Sequence, residues 1–266
     1  MTNTSPFSGS DALAIVLNTS AVNYTPHLSG PLDFQSADYK RVFERFQETC
    51  GATHYIVAIR RTLGNPLKQT QYNLLKCYMN SGSGANEKQL FHGTDAVTAQ
   101  KIIGNGFNRS FCACAAYGHG IYFAHKAKYS ANPIYSVPDK SRDGLQSMFL
   151  TRVLVGQYTR GRPEMITPPL LKGSNYKVHD SLVDNILDPQ IFVSCHNDNQ
   201  AYPEFLLEFL PFEQPRDHNF QPLAQFPKRR VQGIIQPLPQ PHYKPLAQFP
   251  KRRVQGIITP GGFQIY

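Results

Sequence analysis

No apolar run in the chain approaches the roughly 18 to 20 residues that cross a bilayer as a helix. The longest near the start is Ala12 to Leu17, which also lacks the basic leader of a secretory signal, so no membrane partner is expected. The five cysteines, Cys50, Cys77, Cys112, Cys114 and Cys195, are odd in number and contain no CxxC pair. That pattern fits a reduced, intracellular protein of nucleus or cytoplasm better than a disulfide scaffold. There is no GxGxxG, no P-loop and no HExxH, which argues against a Rossmann dehydrogenase, a P-loop kinase and a zinc protease. His54, His125, His179, His196, His218 and His242 are not spaced as metal ligands, and Cys112 with Cys114 lacks partners for a tetrahedral site, so no metal is expected.

Charge is unevenly distributed. Of the formal +9, the 54 residues from Glu213 onward carry +6, from eight Lys or Arg against Glu213 and Asp217. Within that tail Pro222 to Ile235 (PLAQFPKRRVQGII) recurs unchanged at Pro245 to Ile258. Two copies are too few for a stacked solenoid, and so much proline opposes a packed core. Residues 213–266 are therefore expected to be a disordered, basic, Pro-rich tail. Lys228-Arg229-Arg230 and Lys251-Arg252-Arg253 suit nuclear import or nucleic-acid phosphates, and Gln236 to Pro241 suits a polyproline II ligand. Two identical copies would favour a bivalent peptide-binding partner, although a solvated linker explains the same composition. Residues 1–30, rich in Ser, Thr, Asn and Pro, read as a flexible leader.

Between these lies a patterned segment, 31–212. Tyr39, Val42, Phe43, Phe46 and Cys50 recur at helical spacing behind Ser36 and Asp38, and Gly51 closes the helix. Tyr55 to Ile59 reads as a strand, and Gly64-Asn65-Pro66 as a turn before an apolar segment reaching Met79. Gln89 to His92 is a short strand, followed by a helix from Thr94 to Ile103 that stops at Gly104 and Gly106. Gly120–Ala124, Met148–Val155, Ile191–Cys195 and Phe205–Phe209 are further strands. The last sets Phe205, Leu207 and Phe209 on one face against Leu206 and Glu208 on the other. Short strands with few helices predict an α+β fold.

Two features offer chemistry: His92-Gly93-Thr94 at a strand end, and Tyr122 in the strand Gly120–Ala124, followed by Tyr129, Ser130, Ala131, Asn132 and Tyr135. Spacing alone leaves each compatible with a structural role. In order along the chain stand Phe91-His92-Gly93-Thr94, Gly106-Phe107-Asn108-Arg109-Ser110, Tyr117-Gly118-His119-Gly120-Ile121-Tyr122-Phe123-Ala124, Tyr129-Ser130-Ala131, Thr167-Pro168-Pro169 and Asn199-Gln200-Ala201-Tyr202-Pro203-Glu204. Together with the helix ending in Phe46-Gln47-Glu48-Thr49-Cys50, these resemble the catalytic domain of the poly(ADP-ribose) polymerase superfamily, in its mono-ADP-ribosyltransferase branch. The resemblance covers about Pro31 to Leu210.

That resemblance implies the ADP-ribosyltransferase fold, with mixed or antiparallel sheets and a few flanking helices. It implies an enzyme that takes NAD as substrate and moves one ADP-ribose to a protein acceptor. By the same token His92 would bond the ribose hydroxyls on the adenosine side, Gly93 the nicotinamide amide through its backbone, and Ser130 the same amide. Tyr122 and Tyr135 would enclose the nicotinamide ring, Thr94 would complete the strand-end motif, and Arg109 would open a loop over the pyrophosphate. The third place of the family triad is Glu in the polymerising branch. Here strand hydrophobicity puts Ile191 there, whereas counting back from Gln200 selects Gln190; neither is an acid. A neutral ribose hydroxyl needs a general base, an effect worth about 10²- to 10⁴-fold, whereas an acceptor Asp or Glu arrives ionised. The triad His92, Tyr122, Ile191 thus implies single ADP-ribose units on carboxylates of acceptor proteins, the chain itself included. A catalytically inactive NAD-binding scaffold and ADP-ribosylation of nucleic-acid ends are the alternatives. No segment resembling a WWE, zinc-finger, macrodomain or helical regulatory module is apparent, so a separate targeting domain is not expected. Oxidation of Cys112 or Cys114 in the donor-side loop is expected to disturb NAD binding.

Overall fold

The computed structural model describes residues 26–112 and 116–212. The leader before residue 26, Cys114 and the repeated tail lie outside the described residues. In chain order the elements are β1 (His27–Pro31), α1 (Ala37–Cys50), β2 (His54–Leu63), α2 (Pro66–Asn80), β3 (Glu87–Thr94), α3 (Ala96–Asn105), β4 (Ile121–Ala124), α4 (Ala127–Ser130), β5 (Gln146–Leu154), β6 (Tyr158–Arg160), β7 (Ser181–Val183), β8 (Ile191–Ser194) and β9 (Ala201–Pro211). All nine strands form one sheet in the order β1-β2-β9-β5-β3-β4-β8-β7-β6. Every pairing is antiparallel except β6 with β7. The fold is α+β, as the pattern of short strands predicts.

Local chemistry sets the helix ends. The Ser36 side chain accepts from the Tyr39 backbone N–H, and the Gly51 N–H closes α1 on the Gln47 carbonyl. Asn65 caps α2, with Pro66 in its first turn, where a missing N–H costs nothing. Asp95 caps α3 through the Thr98 N–H. The expected helix start at Thr94 is therefore corrected: Thr94 ends β3, and the acid one residue later captures the free amides. The helix also runs through Gly104 and stops only at Gly106, whose N–H returns to Ile102.

The sheet is covered on both sides. Val42, Phe46 and Cys50 of α1 pack with Phe91, Met148, Leu150, Phe205, Leu207 and Phe209. On the other side Ala99, Ile102 and Ile103 of α3 pack with Leu90, Phe107, Phe123, Phe149, Phe192 and Leu206. Both faces of the last strand are accordingly buried: Leu206, opposite the Phe205 face, is 3% exposed and Glu208 5%. Arg60 Nε (3.1 Å) and Arg142 Nη2 (2.7 Å) pair with Glu208, which makes burial of that carboxylate tolerable. At one edge His27–Pro31, whose first four residues fall in the stretch expected to be a flexible leader, is a strand paired with β2.

Candidate active site

The centre of interest is where β3 and β4 part. These strands share one residue pair, Phe91 with Ala124, while β3 pairs with β5 along its whole length from Glu87 to Thr94. At the divergence His92 Nδ1 lies 2.8 Å from the Tyr122 carbonyl oxygen. A carbonyl only accepts, so Nδ1 carries the proton and Nε2 of the neutral ring carries a lone pair. Burial lowers the His92 pKa and outweighs the opposing pull of the Tyr122 carbonyl. Phe107, edge-on with centroids 5.1 Å apart, and Phe123 hold the ring. The strand end therefore presents a fixed, neutral imidazole whose outer nitrogen accepts a hydrogen bond.

Gly93 occupies a place no side chain could share. A Cβ there would sit 2.4 Å from the Ser130 carbonyl oxygen, and 2.9 Å from both Ser136 Oγ and Tyr135 Cβ. Glycine at this strand end brings the segment 130–136 against the β3 backbone. Two polar residues that the sequence reading did not single out hold that segment. Ser136 Oγ donates to the carbonyls of Ser130 and Ser147, each at 2.8 Å, and Gln146 Nε2 donates to those of Ala131 (3.0 Å) and Ser136 (2.7 Å). Both side chains are fully buried, so these bonds form away from competing water. A glutamine just ahead of the apolar run Met148–Leu150 is the only signal that could have revealed it.

Tyr122 lies on the β4 side. Its hydroxyl accepts from the Tyr117 N–H (2.9 Å) and donates to the Gly118 carbonyl (2.7 Å), pinning the loop ahead of β4. Tyr135 stacks on Tyr129, centroids 5.0 Å apart and planes 19° off parallel, with the two hydroxyls 2.8 Å apart. Ser130, 3% exposed, ends α4 between them. Ile191 is opposite Ala124 on β8, and Tyr122 opposite Val193, so Tyr122 and Ile191 share one sheet face. Ile191 is 4% exposed, packed with Ala124, Leu182, Val193 and Cys195. The Gln190 side chain instead turns to Asp188, Nε2 to Oδ1 2.9 Å.

Thr94 is buried at the end of β3. Arg109 stands apart from this group: its Nη1 donates to the carbonyls of Cys195 (2.6 Å) and His196 (2.7 Å), and its Nε is 3.7 Å from Asp198. It fastens the loop after β4's neighbour β8 to the loop that follows α3. Burial pushes the Cys195 thiol up to about 11, so that cysteine is an inert core residue. Among the described residues no group of three or more His, Cys, Asp or Glu is placed to hold a metal.

A mostly antiparallel nine-stranded sheet with few helices, with His-Gly at the end of one strand, Tyr on its neighbour and a Ser-bearing turn against the glycine, is a fold of the ADP-ribosyltransferase class. The model of the poly(ADP-ribose) polymerase catalytic domain matches residues 36–210, and the chain belongs to that family. It is 40% identical over 177 residues to the human protein mono-ADP-ribosyltransferase PARP14, covering 65% of this chain and 10% of that protein. Identity is 34% over 189 residues to human PARP12, covering 69% of this chain and 26% of the relative. For human PARP11 it is 30% over 234 residues, covering 77% and 68%. The chain thus spans a tenth to about a quarter of the length of the first two relatives.

Proposed function

We propose that the segment 31–212 transfers one ADP-ribose from NAD to a carboxylate of a protein acceptor and releases nicotinamide. The reading rests above all on the family match over residues 36–210, supported by the close packing of the 130–136 turn on Gly93, which brings Ser130 and Tyr135 beside the end of β3. The flat carboxamide of nicotinamide is assigned to this strand end, with Ser130 beside it and Tyr122 and Tyr135 as the aromatic residues that flank the ring. His92, through Nε2, is assigned to a ribose hydroxyl and Thr94 to the same strand-end wall. Arg109 is assigned to the donor side through the loop it holds.

In the transfer, the bond between the nicotinamide nitrogen and the ribose carbon breaks, and its electron pair leaves with the now neutral nicotinamide. An oxygen of the ionised Asp or Glu forms the new bond to that carbon, and no proton need move. The protein orients the two partners, stacks the leaving group and excludes water. Ile191, buried and apolar, offers no base for a ribose hydroxyl, which supports single units over chains. The relatives, which carry the name mono-ADP-ribosyltransferase, point the same way. An intracellular setting, and docking of basic or Pro-rich tail motifs on nucleic acid or a bivalent partner, belong to the same proposal.

The test is incubation with adenine-labelled NAD, alone and with cell lysate, resolved on a denaturing gel. Discrete labelled protein bands that vanish in His92→Ala are expected. A high-mass ladder would overturn the role given to Ile191; NAD binding without any label would replace the enzyme with a scaffold. Label on nucleic acid would replace the protein acceptor.

A further inference from the structure

The sheet ends at β6 (Tyr158–Arg160), which among the described strands pairs with β7 alone. A strand with one unpaired side presents main-chain donors and acceptors to any extended chain that lies along it. Facing it is the segment 169–179, folded back on itself: Leu171 N–H donates to Lys177 O, Ser174 N–H to Leu171 O and His179 N–H to Pro169 O. Between that segment and the start of β6, at Gln157 and Tyr158, lies an open groove of about 640 Å³. Tyr158 and Leu171 supply its apolar surface; Lys172, Lys177 and His179 supply its charge and polarity. No carboxylate lines it. Asp180, next in sequence, stands at the edge of the groove with its charge engaged, its Oδ2 accepting from the N–H of the lining residue Gln157 at 2.8 Å.

The strand that starts at this groove runs on to the loop ahead of β4. Past the end of β6, Gly161 lies so close to the donor-side loop that a Cβ would come within 1.9 Å of the Tyr117 carbonyl oxygen. Further along, His119 N–H donates to the Met165 carbonyl at 2.7 Å. Tyr117 in turn is the residue whose N–H rests on the Tyr122 hydroxyl. One end of β6 thus borders the groove and the other borders the loop that Tyr122 pins.

We propose that this groove holds an extended acidic segment of the acceptor protein, paired along β6, and so selects carboxylates that have further acids nearby in sequence. The proposal rests on the transfer reading above and names the substrate class for it. An extended chain rises about 3.3 Å per residue, so the three residues of β6 set the groove and the loop ahead of β4 about 10 Å apart. The acidic run therefore lies about three or more residues from the modified Asp or Glu. A peptide is favoured over a nucleic-acid strand because the open edge offers main-chain pairing, for which a phosphodiester backbone has no counterpart. Two lysines are also a short footprint for a phosphate track.

The test uses the full chain and a fluorescent peptide with one central Glu and an acidic run at that spacing. Its controls are the same peptide with the run changed to Ser and with the run changed to Lys, and a single-stranded oligonucleotide. Binding is read by anisotropy, which needs no catalysis, and NAD hydrolysis without peptide is followed in parallel. The double variant Lys172→Glu with Lys177→Glu should weaken the acidic peptide about tenfold, bind the Lys-run peptide better than the wild type does, and hydrolyse NAD within about twofold of it. Equal affinity of the wild type for the acidic and Ser-run peptides, or unchanged affinity in the variant, overturns the proposal. So does an oligonucleotide that displaces the peptide at lower concentration than unlabelled peptide does. Peptide binding that follows the prediction with no NAD turnover in wild type would defeat the transfer reading and leave the groove standing.

Discussion

A histidine can bind a hydroxyl as donor or as acceptor, and its protonation decides which. In His92 the inner nitrogen is committed to the Tyr122 carbonyl and burial opposes the charged form, so the outer nitrogen accepts. Its pKa lies below the ordinary 6.5, which keeps the neutral form dominant at 6.5 and somewhat beneath it. If His92 binds ribose as an acceptor, kcat/KM for NAD should stay level as pH drops from 8 and decline only with a midpoint under 6.5. A midpoint at or above 6.5, absent from a His92→Gln control, would mean that the imidazole titrates as if solvated. Sequence reasoning placed His92 and Gly93 at a strand end, but the direction of the imidazole bond needed the position of a carbonyl thirty residues away.

At the scale of elements, the turn 130–136 matters more than its helical content suggests, because α4 is a single turn and cannot hold itself. It is held by Gln146 at the start of β5, whose amide satisfies two buried carbonyls. Leaving a buried acceptor unsatisfied costs about 1 to 3 kcal/mol. Gln146→Leu should therefore lower Tm by several degrees and, with the chain still folded by circular dichroism, raise KM for NAD several-fold more than it lowers kcat. An equal loss in both parameters would show that the turn does not set substrate binding. The strand expected from Met148 begins two residues earlier, and those two residues include the one that fixes the site. Alternation in the last strand set Leu206 and Glu208 on the face opposite Phe205, and the structure shows that this face is covered too: Leu206 packs in the cluster that holds α3, and Arg60 and Arg142 neutralise Glu208.

Over the molecule as a whole, the partly buried titratable groups give acid a two-step effect. Burial lowers the pKa of His54, of His92 and of His125, the last aided by the cations Arg45, Lys126 and Lys88. The unfolded chain then takes up these protons first, so stability is full above the ordinary 6.5 and declines as pH falls through it, levelling below the folded values. Burial raises Asp38 and Glu87, yet Arg41 and Arg61 for the first, and Lys76 and Tyr72 for the second, bring both below their ordinary values of 3.8 and 4.5. Their contribution is present above those values and is lost beneath them. Tm measured at constant ionic strength should hold level above about pH 7, decline from about 6.5, and decline again under about 4.5. A Tm that is flat from pH 7 to 5 would show that the histidines titrate alike folded and unfolded.

The sequence by itself determined the α+β class, the bounds of α1 to within a residue, the strand ends that carry His92 and Tyr122, and the order of motifs that marks the family. These features are local: caps, periodicity and turn residues act over a few positions, so a short window contains their cause. Only the tertiary structure decided that β3 and β4 part after one pair, that Gly93 is a point of contact with Ser130 and Tyr135, and that Arg109 faces the Cys195 and His196 carbonyls. It also decided that His27–Pro31 is a strand, since HLSGP has no apolar alternation and gains its shape only from pairing with β2. Each of these depends on a partner far along the chain, and no local pattern encodes which distant backbone will arrive.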